Sequence, residues 1–487
     1  NATVEIQGKV EKTEGPLQLI AENFARLIMG VKNVSLSYSQ TEGSELPGFL
    51  PEHQILGFNQ LQGQHAPTIP FILGWQNENF ANLARKNNWI TRDPALSRPF
   101  TLTHNENLNL RASLEPFQGI RIDLTGSRSQ SKNTREYYIA DSTGTIRNYG
   151  LQQQGNFSMS FLSIGTAFDK ITQENNYQSD AFQKLRANRK HISQRLAERR
   201  KKKTGGDYDP PTSDEGGYWD GYGPTSQHVL IPAFLSAYGE YGVGNAPLNK
   251  FPMIPFPNWR INFNNLSNVG FIQDVAQSVN VSHSYKSTYT IGSFLLNPDF
   301  NNALEEQLSL VRDMRNNFIP KYEINSVAIN EQFNPLINFD VTWQNNLTTR
   351  FQISKSRRVS LSFANNQVTE TLSEQYSFSV GYRFENFNLI LDFGGQREAL
   401  ENDLNVKGNV KIRDNLTILR KLDEDVDDMP TAGQRNVVIG FSADYALSNR
   451  FNVRLFFDRN VNEPKISRSY PTSNTNFGFS LRFTLAE

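Results

Sequence analysis

The sequence predicts an all-β protein, a large antiparallel transmembrane β-barrel with helical and loop insertions. Three observations predict it. Apolar and polar residues alternate strictly along many segments. Several segments reach the roughly 9–11 residues that a tilted membrane-spanning strand needs. Many connections in the last third are tight, as in up-and-down hairpins. We count about 15 strands and expect them to form part of a larger barrel.

The last strand shows the alternation most clearly. Its apolar row is Phe477, Phe479, Leu481, Phe483 and Leu485, and the residues between them are glycine, serine, arginine and threonine. Such alternation places the two kinds of side chain on opposite faces of a strand. The same pattern recurs upstream in residues 376–384, 404–412, 437–445 and 451–458.

Alternation alone fits two environments. A soluble domain turns its apolar rows towards a shared core, whereas an outer-membrane barrel turns them towards lipid and keeps a hydrated lumen. The repetition and length of the strands favour the barrel. Aromatic residues near strand ends, such as Tyr382, Phe384 and Phe387, also suit the interfacial girdle of a barrel. No exact repeat of fixed period is present, which argues against a solenoid.

Composition excludes several classes of protein. The 487 residues contain 49 Lys plus Arg and 49 Asp plus Glu, and this neutral balance argues against nucleic acid as a general partner. The absence of cysteine excludes disulfides and thiolate metal sites. Mean hydropathy is −0.54, too polar for a helical membrane protein, and no apolar run approaches about 20 residues. No signal peptide is recognised, so either it was cleaved or the sequence is part of a longer chain. We expect the second, because the first residues, Ala2–Val10, have the pattern of a strand.

The order of elements divides the chain into five regions. We predict barrel strands with a short helix, Pro16–Met29, in 1–42, and a Pro-rich insertion outside the barrel in 43–99. Barrel strands follow in 100–168, a polar and basic helix with a Pro-rich segment in 169–270, and barrel strands in 271–487. A further helix is predicted over Asp299–Arg315, from the apolar residues on one of its faces.

The second insertion contains two segments of interest. Ser179 can cap a helix that ends in the basic run Arg199–Lys203, where cations suit the helix dipole. This run either touches an acidic partner or anionic lipid, or is the solvated end of a helix. The segment Gly216–Gly223, rich in glycine and tyrosine, either stacks on a sugar or forms an ordered loop.

The sequence contains no enzyme motif that we recognise. The six histidines have no metal-ligand spacing, and there is neither a nucleophile elbow nor a phosphate-binding loop. The acidic run Asp423–Asp428 lacks the glycine and the ligand order of an EF-hand, so it is either a loose calcium site or a hydrated loop. We therefore predict no catalytic residues, no cofactor-binding residues and no metal-binding residues.

Four stretches resemble a known family. They are ELPGF (45–49), PNWRINF (257–263), HSYKSTY (283–289) and, as the most specific, KYEINSVAINEQFNPLINFDVTW (321–343). They resemble the C-terminal part of the SprA/Sov family, the outer-membrane translocon of the type 9 secretion system of Bacteroidota. The similarity runs from about residue 45 to 365, with the all-strand tail behind it.

The resemblance implies a function and a set of partners. It implies a giant single-chain barrel that exports folded proteins bearing a C-terminal secretion signal, and in some members a role in gliding motility. Implied partners are the remainder of the same chain, a shuttle-like small outer-membrane barrel protein, a periplasmic plug protein, a periplasmic prolyl isomerase and the secreted cargo. The barrel would also contact membrane lipid and lipopolysaccharide in the outer membrane.

A wide pore must be closed at rest, so the insertions 43–99 and 169–270 are candidates for closing or docking material. We expect them either to project into the lumen or to lie outside the wall. Two other functions remain open at this point: an outer-membrane porin or receptor for small molecules, and a soluble surface adhesin built of β-sandwiches.

Overall fold

The computed structural model of the chain describes residues 30–485 apart from short gaps. The gaps are residues 53, 55–58, 62–63, 78, 206–215, 265, 267–269, 301–307, 394–395, 423–427, 449 and 467–468. The predicted strand Ala2–Val10 and helix Pro16–Met29 therefore lie outside the described residues, as does most of the acidic run 423–428.

One antiparallel sheet of 14 strands dominates the described chain. Its strands are β1 (Val31–Glu45), β4 (Phe100–Phe117), β5 (Ile120–Ala140), β6 (Ile146–Ser160), β7 (Asn258–Asn264), β8 (Ala276–Leu296), β9 (Tyr322–Ile324), β10 (Ser326–Trp343), β11 (Leu347–Ser362), β12 (Gln367–Phe393), β13 (Gln396–Lys421), β14 (Met429–Ser448), β15 (Phe451–Pro464) and β16 (Thr472–Phe483). A separate hairpin consists of β2 (Asn59–Leu61) and β3 (Gln64–Ala66).

Strands that follow each other in the chain are mostly neighbours in the sheet. The path runs β1-β4-β5-β6-β8-β10-β11-β12-β13-β14-β15-β16. This is an up-and-down arrangement, and the prediction of an all-β fold built on one large antiparallel sheet is confirmed. Strands as long as β12, with 27 residues, extend well beyond the roughly 9–11 residues that would cross a membrane.

Five α-helices are present in the described residues: α1 (Ile69–Ile72), α2 (Phe80–Lys86), α3 (Asp180–Thr204), α4 (Gln227–Tyr238) and α5 (Gly270–Gln273). Two short 3-10 helices, Ile164–Thr166 and Gln173–Asn175, precede α3. The helix α3 begins where predicted, since the Ser179 hydroxyl accepts a hydrogen bond from the Phe182 amide at 3.3 Å. It ends at Gly205, whose φ of 68° is a left-handed conformation that glycine adopts without strain.

A helix is predicted over Asp299–Arg315; residues 301–307 of it lie outside the described residues, and the prediction is wrong for residues 308–315. They form an irregular segment in which Arg312 makes an isolated β-bridge to Phe318. The apolar residues whose spacing indicated a helix lie in a loop instead. In this loop the Ser309 carbonyl accepts a hydrogen bond from buried Arg200 at 2.7 Å. A buried backbone segment without helical bonds needs such partners.

One strand position of the sheet is interrupted. Between β5 and β8, the position is occupied first by β6 and further along by β7, which pairs with both neighbours. The two pieces nearly meet, because the Phe256 amide donates to the Ser160 carbonyl at 3.1 Å. Residues 161–257 therefore leave the sheet in the middle of a strand position and return to it. We call this segment the central insertion.

Two hydrophobic cores lie on the sheet. The larger one packs α3 and α4 of the central insertion against residues of six strands, including Phe157, Tyr289, Ile329 and Leu361. The smaller one packs α2 and Trp89 against the ends of β4, β5 and β6. Residues 46–99, which contribute to the smaller core, are called the first insertion below. Each insertion is thus a folded unit attached to one region of the sheet.

Candidate functional site

A continuous apolar band crosses one face of the sheet. Residues directly opposite each other in antiparallel strands share a face, and the registers align Phe351 with Phe378 and Phe378 with Val410. The alignment continues through Ile439 of β14. Across the whole sheet the band consists of the apolar rows at Val34–Tyr38, Leu108–Leu114, Ile120–Leu124, Trp259–Phe263, Val279–Val281, Ile337–Val341, Phe351–Ile353, Tyr376–Phe384, Leu404–Ile412, Val437–Tyr445, Phe451–Phe457 and Phe477–Phe483.

The band faces solvent rather than a protein core. Phe378 is 49% exposed and Phe441 is 43% exposed although both lie in interior strands of the sheet. Among the described residues no second sheet packs against these rows. Where the band is longest it covers nine residues of a single strand, as in Leu404–Ile412 of β13. That length matches a tilted strand crossing a bilayer, and the pattern is that of the lipid-facing side of a transmembrane β-barrel wall.

The opposite face is polar and carries ionic pairs. The residues that alternate with the band are mainly serine, threonine, asparagine, lysine and arginine, with Val438 and Phe456 as apolar exceptions. Arg350 pairs with Asp340, Arg383 pairs with Asp403 and Arg454 pairs with Asp444. In the central strands, basic residues outnumber acidic residues on this face. The basic residues that do not belong to the three ion pairs just named are Lys286, Arg358, Lys407, Lys411 and Arg413.

Both insertions lie on the same face of the sheet as the apolar band. In β11 the exposed Phe351 of the band is separated by an even number of residues from the buried Val359 and Leu361 of the larger core, so all three side chains lie on the same face of the strand. In β4 the same holds for Leu108 of the band and Phe100 of the smaller core. We therefore find the insertions beyond one end of the band, and not on the polar face.

A charged row separates the apolar band from the central insertion. The registers align Lys355, Glu374, Asp414, Arg435 and Glu463 across five strands, β11 to β15, immediately next to the apolar row. Asp414 forms ion pairs with Arg435 at 2.9 Å and with Lys465 at 2.8 Å. Charged side chains at this level mark where the lipid-facing surface would end and water or headgroups begin.

A buried ionic network joins the central insertion to the sheet. It runs across neighbouring strands from Glu331 of β10 to Arg357 of β11, Glu370 of β12 and Arg420 of β13, and ends at Asp428. Arg357 lies 3.0 Å from Glu331 and 3.9 Å from Glu370, and Arg420 lies 3.0 Å from Glu370. All five side chains are nearly inaccessible to water. We call this set the ionic ladder.

The ionic ladder binds backbone and side chains of the central insertion. The Arg357 guanidinium donates to the Thr166 carbonyl at 2.6 Å, and the Arg420 guanidinium donates to the Tyr177 carbonyl at 2.6 Å. The Ser163 hydroxyl donates to Glu331 at 2.7 Å. Buried charges are costly unless they are paired, so these contacts with the central insertion help to stabilise the ladder.

Each ladder arginine also faces an aromatic ring of a helix. Arg357 lies 5.9 Å from the centre of the Tyr238 ring in α4, and Arg420 lies 5.8 Å from the Phe182 ring in α3. Cation–π contacts of this kind add to the attachment when they are desolvated. Both helices of the larger core therefore contact the ionic ladder, α4 through Arg357 of β11 and α3 through Arg420 of β13.

The sequence alone does not reveal the ionic ladder. A signal was present, because each ladder residue of a strand occupies a place in an apolar row: Glu331 follows Val327 and Ile329, and Arg420 follows Ile418. A charged side chain in an apolar row must have a charged partner if the row is to be buried. The partner lies on another strand, so only the register of the sheet identifies it.

The glycine- and tyrosine-rich segment and the basic run, both noted in the sequence, have structural roles in the folded protein. In Gly216–Gly223 the rings of Tyr218 and Tyr222 are buried, and Tyr222 packs 5.4 Å from Phe318, which favours the ordered loop over a sugar-stacking surface. Asp220 of the same loop pairs with Arg312 at 2.6 Å, and hydrogen bonds from that arginine lower the pKa of Asp220. In the basic run, Arg200 is buried over the Phe318 ring at 3.5 Å.

Two features are absent from the part of the chain that the structure describes. No cluster of three or more His, Cys, Asp or Glu side chains has an arrangement that could hold a metal ion. None of the described helices combines the length and apolar content that a membrane-crossing helix requires.

Comparison with known proteins adds little to this description. No protein-family model and no curated protein matches the chain. Among solved structures, the chain is similar to OmpT, an outer membrane protein of Vibrio cholerae in its trimer form, at 9% identity over 80% of this chain and 94% of that one, with a TM-score of 0.19. It is similar to an anion-selective porin from Comamonas acidovorans at 8% identity over 80% and 93%, with a TM-score of 0.11. TM-scores of this size carry no weight, so the fold assignment rests on the strand pairing and the exposed apolar band.

Proposed function

We propose that the chain forms part of the wall of an outer-membrane, protein-conducting β-barrel of the type 9 secretion system. The carrying observation is the apolar band, which crosses twelve neighbouring strand positions on one face while the other face is polar. The resemblance of residues 321–343 to the SprA/Sov translocon family supplies the specific transport function.

The edges of the sheet support a wall larger than these strands. In the described residues the outer edges of β1 and β16 have no partner strand, and nearly every residue of β16 is exposed. Lipid cannot satisfy the free backbone groups of an open edge, so a membrane sheet must close on itself or on further strands. The proposed partner strands belong to the remainder of the same translocon chain.

The size of the sheet favours a wide lumen. Barrel diameter grows with strand number, and walls of 16 or more strands already enclose an aqueous channel. Twelve positions with both edges open would be only part of such a wall. Export of folded cargo with a C-terminal signal requires a lumen too wide for side chains to fill, which is the reason a protein channel is preferred here.

The location of the insertions favours docking outside the wall over plugging the lumen. Because they share a face with the apolar band, they would stand on the outer surface of the barrel, beyond the edge of the bilayer. That position suits contact with the shuttle-like barrel protein, while closing the lumen would fall to the periplasmic plug protein. The prolyl isomerase, the cargo, lipopolysaccharide and a role in gliding motility belong to the same proposal.

The complete absence of cysteine from the chain permits a direct test. Single cysteines at Val410 and Lys411, adjacent exposed residues on opposite faces, would be introduced into the protein in intact outer membranes. We expect the Val410 site to react only with a lipid-soluble maleimide and the Lys411 site only with a water-soluble one. Equal labelling of both sites by the water-soluble reagent would contradict a lipid-facing band.

A second experiment tests protein export itself. A cysteine at Asn409, on the polar face, would be cross-linked to cargo stalled by a bulky fusion. A cross-linked cargo species is expected at Asn409 and not at the lipid-facing neighbour Val410.

A small-molecule porin remains the second candidate, because the ion pairs of the polar face suit an aqueous channel for solutes equally well. Unitary conductance separates the two functions. A porin would show small, stable channels, whereas a translocon freed from its plug would show a far larger one. Labelling that fits the membrane band without cargo cross-links or large conductance would favour the porin.

A further inference from the structure

An exposed apolar loop projects from the central insertion at the margin of the apolar band. It consists of residues 251–256, with the sequence FPMIPF, and we call it the apolar loop. Its two middle residues, Met253 and Ile254, are 75% and 78% exposed. The loop therefore presents two adjacent, large apolar side chains to its surroundings.

The outer residues of the apolar loop attach it to the protein. The Phe251 ring packs edge-on against the Phe157 ring of β6 at 5.4 Å, and the Phe256 ring packs against the Tyr241 ring at 5.5 Å. Among the described residues, the two middle residues of the loop contribute to none of the hydrophobic cores. Burial inside the protein thus explains the two phenylalanines, and does not explain why methionine and isoleucine lie between them.

The backbone of the apolar loop is held at both ends. Prolines at positions 252 and 255 flank the two middle residues and restrict φ at their own positions. The Arg128 guanidinium donates to the Pro252 carbonyl at 3.2 Å, and the Ser160 hydroxyl donates to the Phe256 carbonyl at 2.6 Å. A loop fixed in this way loses little further conformational entropy when its exposed side chains make a contact.

The apolar loop adjoins the lipid-facing band. Gly126 follows Leu124, the last band residue of β5, on the same face of the strand, and it pairs with Leu110 of the band in β4. A side-chain carbon placed on Gly126 would lie 3.5 Å from Leu110 and 3.8 Å from Pro255 of the loop. The loop therefore continues the surface of the band across β4 and β5, at the margin nearer the insertions.

We propose that the apolar loop is immersed in the interfacial region of the bilayer, where Met253 and Ile254 contact the acyl chains of lipid beside the barrel wall. The partner is membrane lipid because the loop extends a surface whose other residues face lipid. Apolar side chains gain from burial at the boundary of headgroups and acyl chains. This inference rests on the lipid-facing band and on the proposed location of the insertions outside the wall, and it adds that the central insertion is itself attached to the membrane.

The test is lipid quenching of fluorescent probes in phosphatidylcholine vesicles, with and without bromine on the acyl chains. The chain lacks cysteine, so single cysteines at Met253 and Ile254 can each carry an environment-sensitive fluorophore. We expect brominated lipid to quench both probes, and to quench them more strongly with bromine near the headgroup than at the end of the acyl chain. Iodide in the water should quench both probes weakly.

Two further positions make the result specific. Gln183 is exposed on α3 of the same insertion, and Val410 is an exposed residue of the apolar band. A probe at Gln183 should respond to iodide and severalfold less to brominated lipid than the loop probes, whereas a probe at Val410 should respond to brominated lipid. All four positions are exposed, so the substitutions should not prevent folding.

Three outcomes would contradict the proposal. Equal responses at Ile254 and Gln183, with lipid quenching at Val410, would overturn membrane contact by the loop and leave the barrel wall standing. Loss of lipid quenching at Val410 as well would overturn the lipid-facing band together with the loop. Protection of Ile254 from both iodide and brominated lipid would mean that a protein surface covers the loop, and would overturn the assignment of lipid as its partner.

Discussion

Replacing Glu370 by glutamine should detach the central insertion from the sheet. Glu370 is fully buried and is shared by two arginines, with Arg420 at 3.0 Å and Arg357 at 3.9 Å. The neutral amide removes the carboxylate that the two guanidinium groups share, and leaves Arg357 paired with Glu331 and Arg420 paired with Asp428. Because neither charge is left without a partner, the cost is close to the roughly 1.5–3 kcal/mol of a hydrogen bond to a charged group. We expect a loss of this size in the free energy of unfolding of the part that includes the insertion.

The matched control is D340N. Asp340 pairs with Arg350 on the polar face, where both side chains are substantially exposed. An exposed pair contributes about 0–1 kcal/mol because water screens it. The two variants therefore make the same chemical change, from carboxylate to amide, in a buried and in an exposed pair of neighbouring strands.

Two measurements report the result. Urea unfolding followed by tryptophan fluorescence gives the free energy, with Trp219 lying inside the central insertion. Limited trypsin digestion reports whether α3, which is rich in arginine and lysine, has become accessible. We expect E370Q alone to lower stability strongly and to expose α3 to cleavage. If E370Q matches the wild type within about 1 kcal/mol and α3 stays protected, the ionic ladder does not hold the insertion.

Three further outcomes are expected. F378R, in the middle of the apolar band, should cost about 2–4 kcal/mol of stability in lipid vesicles, whereas S379R on the adjacent polar position should cost far less; equal costs would contradict the assignment of faces. The double variant K407E/K411E reverses two of the charges on the polar face and should shift the reversal potential of purified channels from anion towards cation preference; an unchanged potential would mean that this face does not line the pore. K250M, which replaces a lysine of the central insertion, should raise the melting temperature of the insertion more at pH 6 than at pH 9.5. The reason is that the folded-state pKa of Lys250 is lowered, so its burial penalty is fully present below about 7 and fades as the pH approaches the unfolded value; a pH-independent difference would contradict this.

Much of the fold follows from the sequence because strand alternation is a local property. The rows at Phe477–Phe483 and Val437–Tyr445 were predicted as strands, and both are strands with the predicted faces. The cap at Ser179 was equally local, since a serine before a helical segment satisfies the free amides of the first turn. The helix at Asp299–Arg315 failed for residues 308–315, where contacts with Arg200 and Phe318 outweigh the helical spacing.

The candidate sites depended on contacts distant in sequence. Arg420 meets Tyr177 across more than two hundred residues, and Arg128 meets Pro252 across more than one hundred. No spacing rule predicts either meeting. The sequence also left open whether the insertions enter the lumen or lie outside the wall. Only the registers of β4 and β11 place the hydrophobic cores in step with the apolar band, and this is why we propose a location outside the wall.

The amino-acid sequence by itself determined that this protein is a sheet with an apolar and a polar face, because a strand's period of two fixes the face of every side chain. Only the tertiary structure decided which charges are buried and where the insertions attach. Both depend on how neighbouring strands are aligned. That alignment brings Glu331, Arg357, Glu370 and Arg420 together from four separate strands.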